Sequence, residues 1–245
     1  MRNLFLFLFL VVSLFSGCSY GDVGSGGRQI YVGWFIPDTQ AVQSTVIQHV
    51  TGYNNACGPT SLLFLDNHFS RRRFGYSPSH LLNVTSVRVS LTSLYAFLGI
   101  ANNSATNFDQ LKRILVQRWG WTQVYRASAN NSRDTNMDSM ITRLRQNIPS
   151  LIVFKKDYPG NPLYGLSPVD HIVIVYQYLY ARSDGITSGD DLIFFFEPYY
   201  GLTGSFPRRD SASAVNLANF SFLSAAPWFC SRVVYSSGGN ASTFL

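Results

Sequence analysis

Apolar residues recur at helical spacing in three segments of the chain. The strongest pattern ends before Pro149 and has four apolar residues at positions i, i+3, i+4 and i+7, namely Met137, Met140, Ile141 and Leu144. The segment 107–119 carries an apolar stripe on one side, and the segment 58–69 is apolar nearly all round. These patterns predict three helices, and the helix over 58–69 is expected to lie buried in the core because it has almost no polar face.

Apolar runs of strand length follow in the second half of the chain. They cover 151–154, 172–178, 192–196 and 230–235, and a further β-rich run, 29–35, stands near the N-terminus. Helices therefore come mostly before strands, with turn signals between the strands. This order predicts an α+β fold in which helices pack against an antiparallel sheet.

Residues 1–17 have the pattern of a secretory signal. Arg2 precedes an apolar core, 4–15, which is shorter than the about 20 residues needed to cross a bilayer, and small residues follow it. The end of this segment, Leu14 to Cys18, resembles a bacterial lipobox. The resemblance implies cleavage before Cys18, a lipid on its thiol and a membrane-anchored protein of the bacterial cell envelope. Ordinary signal cleavage with an incidental Cys18 is the alternative.

The rest of the chain is expected to form one folded domain between two loose ends. Residues 18–28 are rich in Gly and Ser, which is typical of a flexible tether. Residues 236–245 are expected to form a loose tail. Between them, 29–235 shows no repeat, no low-complexity segment and no linker, so it is read as a single domain.

Composition and charge narrow the function classes. Charged residues make up only 13% of the chain, against about 25% in typical soluble domains. Uncharged polar residues must therefore cover much of the surface, which favours an exported protein. The net charge of +6 is spread thinly, and its only dense run, 71–73, stands at the expected end of a helix, where cations are favourable. No nucleic-acid partner is expected, because no basic face carries interleaved aromatics.

The segment 53–61, YNNACGPTS, carries the candidate nucleophile. Pro59 suits the first turn of a helix, where a backbone N–H would lack an intrahelical partner, and Gly58 allows a tight backbone approach. Cys57 is thus expected at the N-terminus of the buried helix, where aligned peptide dipoles stabilise a thiolate. This setting predicts nucleophilic catalysis through an acyl-enzyme.

A nucleophilic cysteine needs a base, and the chain has four histidines. His49, His68 and His80 lie close to Cys57 in the sequence, whereas His171 opens the apolar strand 172–178. A cysteine enzyme usually brings its histidine from a distant part of the sequence. His171 is therefore the predicted general base.

The next strand supplies a candidate orienting acid. A two-residue turn at Asp184–Gly185 would place the start of one strand opposite the end of the next. His171 then faces Pro198, next to Glu197, although Ser188–Gly189 could carry the turn instead. In this position Glu197 can hold the imidazole tautomer and stabilise the charged ring.

Three motifs occur in a fixed order: Asn55–Ser61 (NACGPTS), Asp170–Val175 (DHIVIV) and Phe196–Pro198 (FEP). In this order they resemble the bacteriocin-processing cysteine peptidases (cysteine peptidase family thirty-nine), and most closely their free-standing relatives that lack a transporter. The segment 146–153 also resembles the junction between helix and strand in that family. The resemblance extends over roughly 48–235. It implies a papain-like cysteine peptidase fold, no cofactor, no metal, and a peptide or protein substrate.

Two site positions differ from the family or leave alternatives. The family usually has Asp where this chain has Glu197, so a longer side chain must be accommodated. The family's oxyanion glutamine lies shortly before the cysteine, and Gln48 fits the free-standing relatives best, with Asn54 and Asn55 as rivals. The backbone N–H of Cys57 would be the second oxyanion donor.

Three functions remain open at this point. The first is an envelope-anchored thiol peptidase, and the second is a papain-like amidase or transpeptidase that acts on peptidoglycan with the same residues. The third is a catalytically inactive binding lipoprotein on the same fold, since fold alone does not decide activity. A disulfide between Cys57 and Cys230, formed in an oxidising compartment, would favour the third. Otherwise Cys230 is expected to be a small buried residue.

Overall fold

The computed structural model describes residues 29–33, 48–74, 83–128, 130–146, 148–155, 157–158, 170–181, 191–210, 222–227, 233–234 and 242–243. The predicted signal, lipobox and tether lie outside these residues, and so do Cys18, His80, Cys230 and both candidate turns between the two central strands.

The described helices lie before the central strands of the sheet. They are α1 (Gln48–Thr51), α2 (Cys57–Phe74), α3 (Val84–Leu98), α4 (Phe108–Arg113) and α5 (Arg133–Arg145). A π-helical turn (114–118) continues α4, and a short 3-10 turn covers 208–210. Among these described helices, none is both long enough and apolar enough to cross a membrane.

The described strands form one large and one small antiparallel sheet. The large sheet contains β1 (Gln29–Gly33), β2 (Gln123–Arg126), β3 (Ser150–Phe154), β4 (His171–Ala181), β5 (Leu192–Glu197), β6 (Leu202–Pro207) and β7 (Phe222–Ala226). The strand order is β2-β7-β3-β4-β5-β6. One edge of β4 pairs with β5, while β3 and β1 pair with its first and second halves. The central strand β4 therefore has hydrogen-bonded neighbours on both sides.

The small sheet lies near the C-terminus. It consists of β8 (Val233–Val234) and β9 (Ser242–Thr243), which pair antiparallel. Within the segment 236–245, which is expected to form a loose tail, Ser242 and Thr243 are the residues that the structure describes, and the loose tail stays a prediction. Val233 and Val234 lie within the predicted strand 230–235.

Helices cover the large sheet on both faces. On one face α2, α3 and α4 share a hydrophobic core with Ile172 and Ile174 of β4, and α2 contacts this strand directly. On the other face α5 packs against Val173 and Val175 of the same strand. Alternate residues of β4 thus contact opposite helix layers, as the two-residue period of a strand requires. The predicted α+β class, with helices packed on an antiparallel sheet, is confirmed.

All three predicted helices are present. The apolar segment 62–65 of α2 is exposed by at most 2%, so this helix is buried as its sequence indicates. The segment 107–119 begins at its cap Asn107, whose side chain and that of Gln110 form a reciprocal capping box. The third helix, α5, is capped by Ser132, which accepts from the Thr135 N–H.

Two helices, the four-residue α1 and the longer α3, are not predicted from the sequence. The fifteen residues of α3 include several Val, Thr and Ser, which are poorer helix formers than Leu or Ala. Two terminal signals were nevertheless present. Asn83 caps the helix through the Ser86 N–H, and Gly99 ends it in the left-handed conformation with φ 71°.

Candidate active site

Cys57 lies in the first turn of the buried helix α2. The carbonyl of Ala56 accepts from the Thr60 N–H at 2.8 Å, so the helical hydrogen bonding begins immediately before Cys57. The first N–H groups of a helix have no intrahelical acceptor, and they carry the positive end of its dipole. Cys57 is half-buried and has no disulfide partner among the described residues, and Cys230, the candidate partner, lies outside them.

Gly58 explains how this helix start can sit so deep in the protein. A Cβ at this position would lie 2.5 Å from Thr106 Oγ1 and 3.0 Å from Leu111 Cδ1. Real Cβ atoms do not approach neighbours so closely, so a larger residue would push α2 away from α4. Gly58 is therefore required by close packing beside Cys57, the candidate nucleophile.

His171, the first residue of β4, lies beside the thiol and is only 4% exposed. Burial alone would raise the pKa of Cys57. The hydrogen bond and charge of His171, with the backbone N–H groups of Ile172 and Gly58, outweigh burial and lower that pKa. The thiol thus sits where its anion is stabilised from several directions.

The pKa of the His171 imidazole shifts in the opposite direction to that of the thiol. Burial would lower the pKa of His171, but hydrogen bonds and charge interactions with Cys57 and Glu197 prevail and raise this pKa to about 9. A lowered thiol pKa beside a raised imidazole pKa favours transfer of the proton from Cys57 to His171.

Glu197, the last residue of β5, holds the far side of the imidazole. Its Oε1 lies 2.5 Å from His171 Nε2, and its side chain is fully buried. Because Nε2 contacts Glu197, Nδ1 is the ring nitrogen left to face Cys57. The three predicted residues Cys57, His171 and Glu197 are thus brought together in the order nucleophile, imidazole, carboxylate.

The turn after β5 accommodates the longer glutamate side chain. The backbone N–H of Tyr199 donates to Glu197 Oε1, and the N–H of Tyr200 donates to Oε2 at 2.9 Å. The chain therefore folds back around the carboxylate and supplies it with two donors besides His171. The buried carboxylate therefore has hydrogen-bond partners for both of its oxygens.

The observed strand register differs slightly from the predicted one. The predicted partner of Ile174 is Phe195, but Ile174 pairs with Phe196. A further irregularity between Val175 and Gln177 shifts the later pairs again. Bulges of this kind leave no clear mark in an apolar run, since every residue remains suited to a strand.

Gln48 is fully buried, and its amide contacts the loop before the nucleophile. Its Nε2 donates to the carbonyls of Tyr53 and Asn54, both at 2.9 Å. Its backbone N–H donates to the carbonyl of Pro198 at 3.0 Å. Both amide hydrogens are thus engaged within the protein, and a role as oxyanion donor, which stays a prediction, requires one of these bonds to be exchanged.

The two rival residues for the oxyanion position also have partners. Asn54 is exposed, and its Oδ1 accepts from the Tyr199 hydroxyl at 3.3 Å. The backbone N–H of Asn55 donates to Asn103 Oδ1 at 2.8 Å. The N–H of Cys57 belongs to the first turn of α2, where backbone N–H groups have no intrahelical acceptor, and its role as an oxyanion donor stays a prediction.

Tyr199 lies at the site but is not among the site residues predicted from the sequence, where it is considered only as a possible wall of a substrate cleft. Its ring meets the His171 ring edge-to-face, with centroids 6.2 Å apart and planes at 87°. Aromatic residues are frequent in this chain and usually belong to a core, so position alone did not distinguish this one. The signal available was its location two residues after the predicted acid Glu197.

Two of the other histidines lie in the helical half of the chain. His49 belongs to α1 and His68 lies within α2, several turns beyond Cys57.

Within the described part of the chain, no group of three or more His, Cys, Asp or Glu side chains could hold a metal ion.

The sequence comparisons with known proteins found no relative. No model of a known protein family and no curated protein sequence matches this chain.

Proposed function

We propose that this protein is a thiol peptidase that hydrolyses peptide bonds through a Cys57 acyl-enzyme. One observation carries the proposal: Cys57 stands at the start of a buried helix with a lowered pKa, beside His171, whose pKa is raised to about 9. Helix-start cysteines paired with an imidazolium are the activated nucleophiles of cysteine enzymes. On this proposal the helix-and-sheet arrangement is a papain-like fold of the bacteriocin-processing type.

The first half of the reaction forms a thioester. The Cys57 thiolate attacks the substrate carbonyl carbon, and the carbonyl electrons move to oxygen. The Cys57 N–H stabilises that oxyanion, and Gln48 contributes the second donor once an amide hydrogen is released from its present acceptor. As the tetrahedral species collapses, the proton on His171 moves to the leaving amine, and the C–N bond breaks.

The second half returns the enzyme to its starting state. Neutral His171 takes a proton from water, and the hydroxide attacks the thioester carbonyl. Collapse of this intermediate releases the carboxylic acid product and regenerates the Cys57 thiolate beside protonated His171. Glu197 keeps the imidazole oriented through both halves and stabilises its positive charge.

The location of this activity is a separate proposal. The lipobox-like end of the N-terminal signal supports a lipid anchor on Cys18, which would hold the peptidase domain at the cell envelope. Radiolabelled fatty acid is expected to enter the wild-type protein and not Cys18→Ala. Equal labelling of the two would remove the anchor and leave the proposed peptidase chemistry untouched.

The test of the function is selective labelling of Cys57. Purified protein near pH 6 is treated with a peptidyl chloromethyl ketone, with iodoacetamide in a parallel sample, and the adducts are located by mass spectrometry. We expect Cys57 to react with both reagents well before Cys230, and His171→Ala to lose this preference. A mixture of short peptides, analysed for cleavage products, then tests turnover.

Each outcome of that test has a definite meaning. Adduct on Cys57 together with peptide cleavage supports the peptidase. Adduct on Cys57 with cleavage of peptidoglycan fragments and not of peptides would replace the peptidase by an amidase with the same nucleophile. Equal, slow reaction of Cys57 and Cys230 would end the proposal of an enzyme.

A further inference from the structure

A closed path of hydrogen bonds joins the loop before Cys57 to the turn after Glu197. Gln48 begins it, since its backbone N–H donates to the Pro198 carbonyl and its Nε2 donates to the Asn54 carbonyl. The Asn54 side chain then accepts from the Tyr199 hydroxyl at 3.3 Å. Because Tyr199 follows Pro198 in the chain, the path returns to its start.

Tyr199 makes three different contacts at this site. Its ring packs edge-to-face on His171, its backbone N–H donates to Glu197, and its hydroxyl donates to Asn54. Burial, then the nearby Tyr200 and Glu197, raise the pKa of the Tyr199 phenol, so its hydroxyl stays protonated and able to donate. One residue therefore touches the base, the acid and the loop that leads to the nucleophile.

We propose that Tyr199 is a positioning residue with two separable functions. Its ring holds the plane of the His171 imidazole, and its hydroxyl holds, through Asn54, the loop that places Cys57 and its oxyanion-binding N–H. The proposal rests on the proposed thiol peptidase, because positioning matters only if these groups act on a carbonyl. The geometry of nucleophilic attack is sensitive to shifts of about 1 Å, so a small displacement of either the His171 ring or the loop before Cys57 should lower the rate of attack by Cys57.

The loop before Cys57 needs hydrogen bonds such as that from the Tyr199 hydroxyl, because it has little regular structure of its own. Residues 52–56 connect the four-residue helix α1 to α2 without regular structure. Asn54 and Asn55 are exposed, so little buried side-chain surface holds the middle of this loop. Hydrogen bonds hold these two residues instead: Gln48 and Tyr199 donate to Asn54, and Asn103 accepts from the Asn55 N–H.

The experiment is a double-mutant cycle on the hydroxyl and its acceptor. Tyr199→Phe and Asn54→Ala each remove this bond and should each lower the inactivation rate constant of Cys57 by the peptidyl chloromethyl ketone about 3- to 10-fold. The double variant should be no slower than the slower single variant, because both remove the same interaction. Iodoacetamide, which needs only the thiolate, should react within about twofold of the wild-type rate in all three.

The ring is tested by a second substitution. Tyr199→Ala also removes the contact with His171 and should be about 10- to 100-fold slower than wild type with the ketone. Tyr199→Phe should recover the part of the rate that belongs to the ring. Tyr125→Phe, a half-exposed tyrosine on β2, serves as the matched control and should behave as wild type. Each variant is checked for folding by circular dichroism and thermal unfolding.

The two proposals fail in different ways. If wild-type Cys57 is not labelled selectively, the thiol peptidase fails and no variant needs to be compared. If wild type is labelled selectively but Tyr199→Ala, Tyr199→Phe and Asn54→Ala all react at its rate, the positioning role of Tyr199 is overturned. If the rate losses of the two single variants add up in the double variant, the role of the Tyr199–Asn54 hydrogen bond is also overturned, because the two residues then act independently.

Discussion

Two buried hydrogen-bonded pairs join β4 to the chain of β5, and they invite comparison. His171 contacts Glu197 at one end of the pairing, and Tyr178 donates to Asp191 further along, each at 2.5 Å. Both carboxylates are fully buried. In length, burial and donor–acceptor pairing the two are nearly the same.

Their neighbours differ. Tyr178 also contacts Arg208, whose guanidinium pairs with Asp138 of α5 at 2.9 Å. Burial, then the nearby Asp191, raise the pKa of Tyr178, so its hydroxyl keeps its proton. His171 instead faces the half-buried thiol of Cys57, whose pKa is lowered. The two pairs thus differ in their third partner, which is a potential nucleophile beside His171 and an arginine beside Tyr178.

Removal of His171 should give the largest difference in activity between the two pairs. His171→Ala takes away the proton acceptor of Cys57, so peptide turnover should fall by about 10³-fold or more, with the protein still folded. Steady-state kinetics with a cleaved peptide measures the loss. His68→Ala, on the same helix as the nucleophile, is the matched control and should leave turnover unchanged. A folded His171→Ala enzyme with near-wild-type kcat would require His49, His68 and His80 to be reconsidered.

Glu197→Gln should have a smaller effect. The amide oxygen can still accept from the imidazole, but the negative charge that stabilises the imidazolium is lost, so kcat should fall by about 10- to 100-fold. Glu197→Asp keeps the charge on a shorter side chain and should recover part of that loss. If Glu197→Gln has the activity of wild type, the carboxylate would be a structural group like Asp191.

The pH dependence of turnover tests the role of His171 without any mutation. His171 with its pKa raised to about 9 is protonated below that pH and can donate to the leaving amine. Above it, kcat/KM should fall about tenfold per pH unit. Alkylation of Cys57 by iodoacetamide should not fall over the same range, because the thiolate persists. An alkaline limb near pH 6.5 would mean that Cys57 and Glu197 do not stabilise the imidazolium.

The smallest effect on activity is expected at the other pair. Tyr178→Phe removes a hydroxyl that donates to Asp191, so the free energy of unfolding should fall by about 1–3 kcal/mol. Turnover by the folded enzyme should remain at the wild-type value, since this pair faces α5 and not Cys57. Urea unfolding gives the first quantity and peptide kinetics the second. A large loss of kcat would show that the two pairs are coupled through β4.

Much of the candidate site followed from local rules. Cys57 was expected at a helix start because Gly58 and Pro59 suit one, and His171 was expected at the start of a strand because it precedes an apolar run. Their proximity to Glu197 was expected from hairpin geometry. These rules concern neighbours in the sequence or across one turn, where the backbone leaves few choices.

Features that depend on distant packing were not predictable in the same way. The helix α3 is built from residues of modest helix propensity, and its burial against α2 overrides that preference. The place of Tyr199 depends on a turn that wraps around a carboxylate. The contacts of Gln48 with Tyr53 and Asn54 depend on a loop whose residues have no periodic pattern. Tertiary contacts decide all of these.

The central place of β4 implies that the strand of His171 and the loop before Cys57 differ in local stability. His171 begins a strand with neighbours on both edges and helices on both faces, so its amide region should open only when the whole domain unfolds. Cys57 itself begins the buried helix α2, but it follows a loop whose middle residues, Asn54 and Asn55, are exposed. Hydrogen exchange should therefore be slow at 172–175 and faster at 54–55. Mild denaturant would then loosen the loop before Cys57 while α2 and the sheet are still intact.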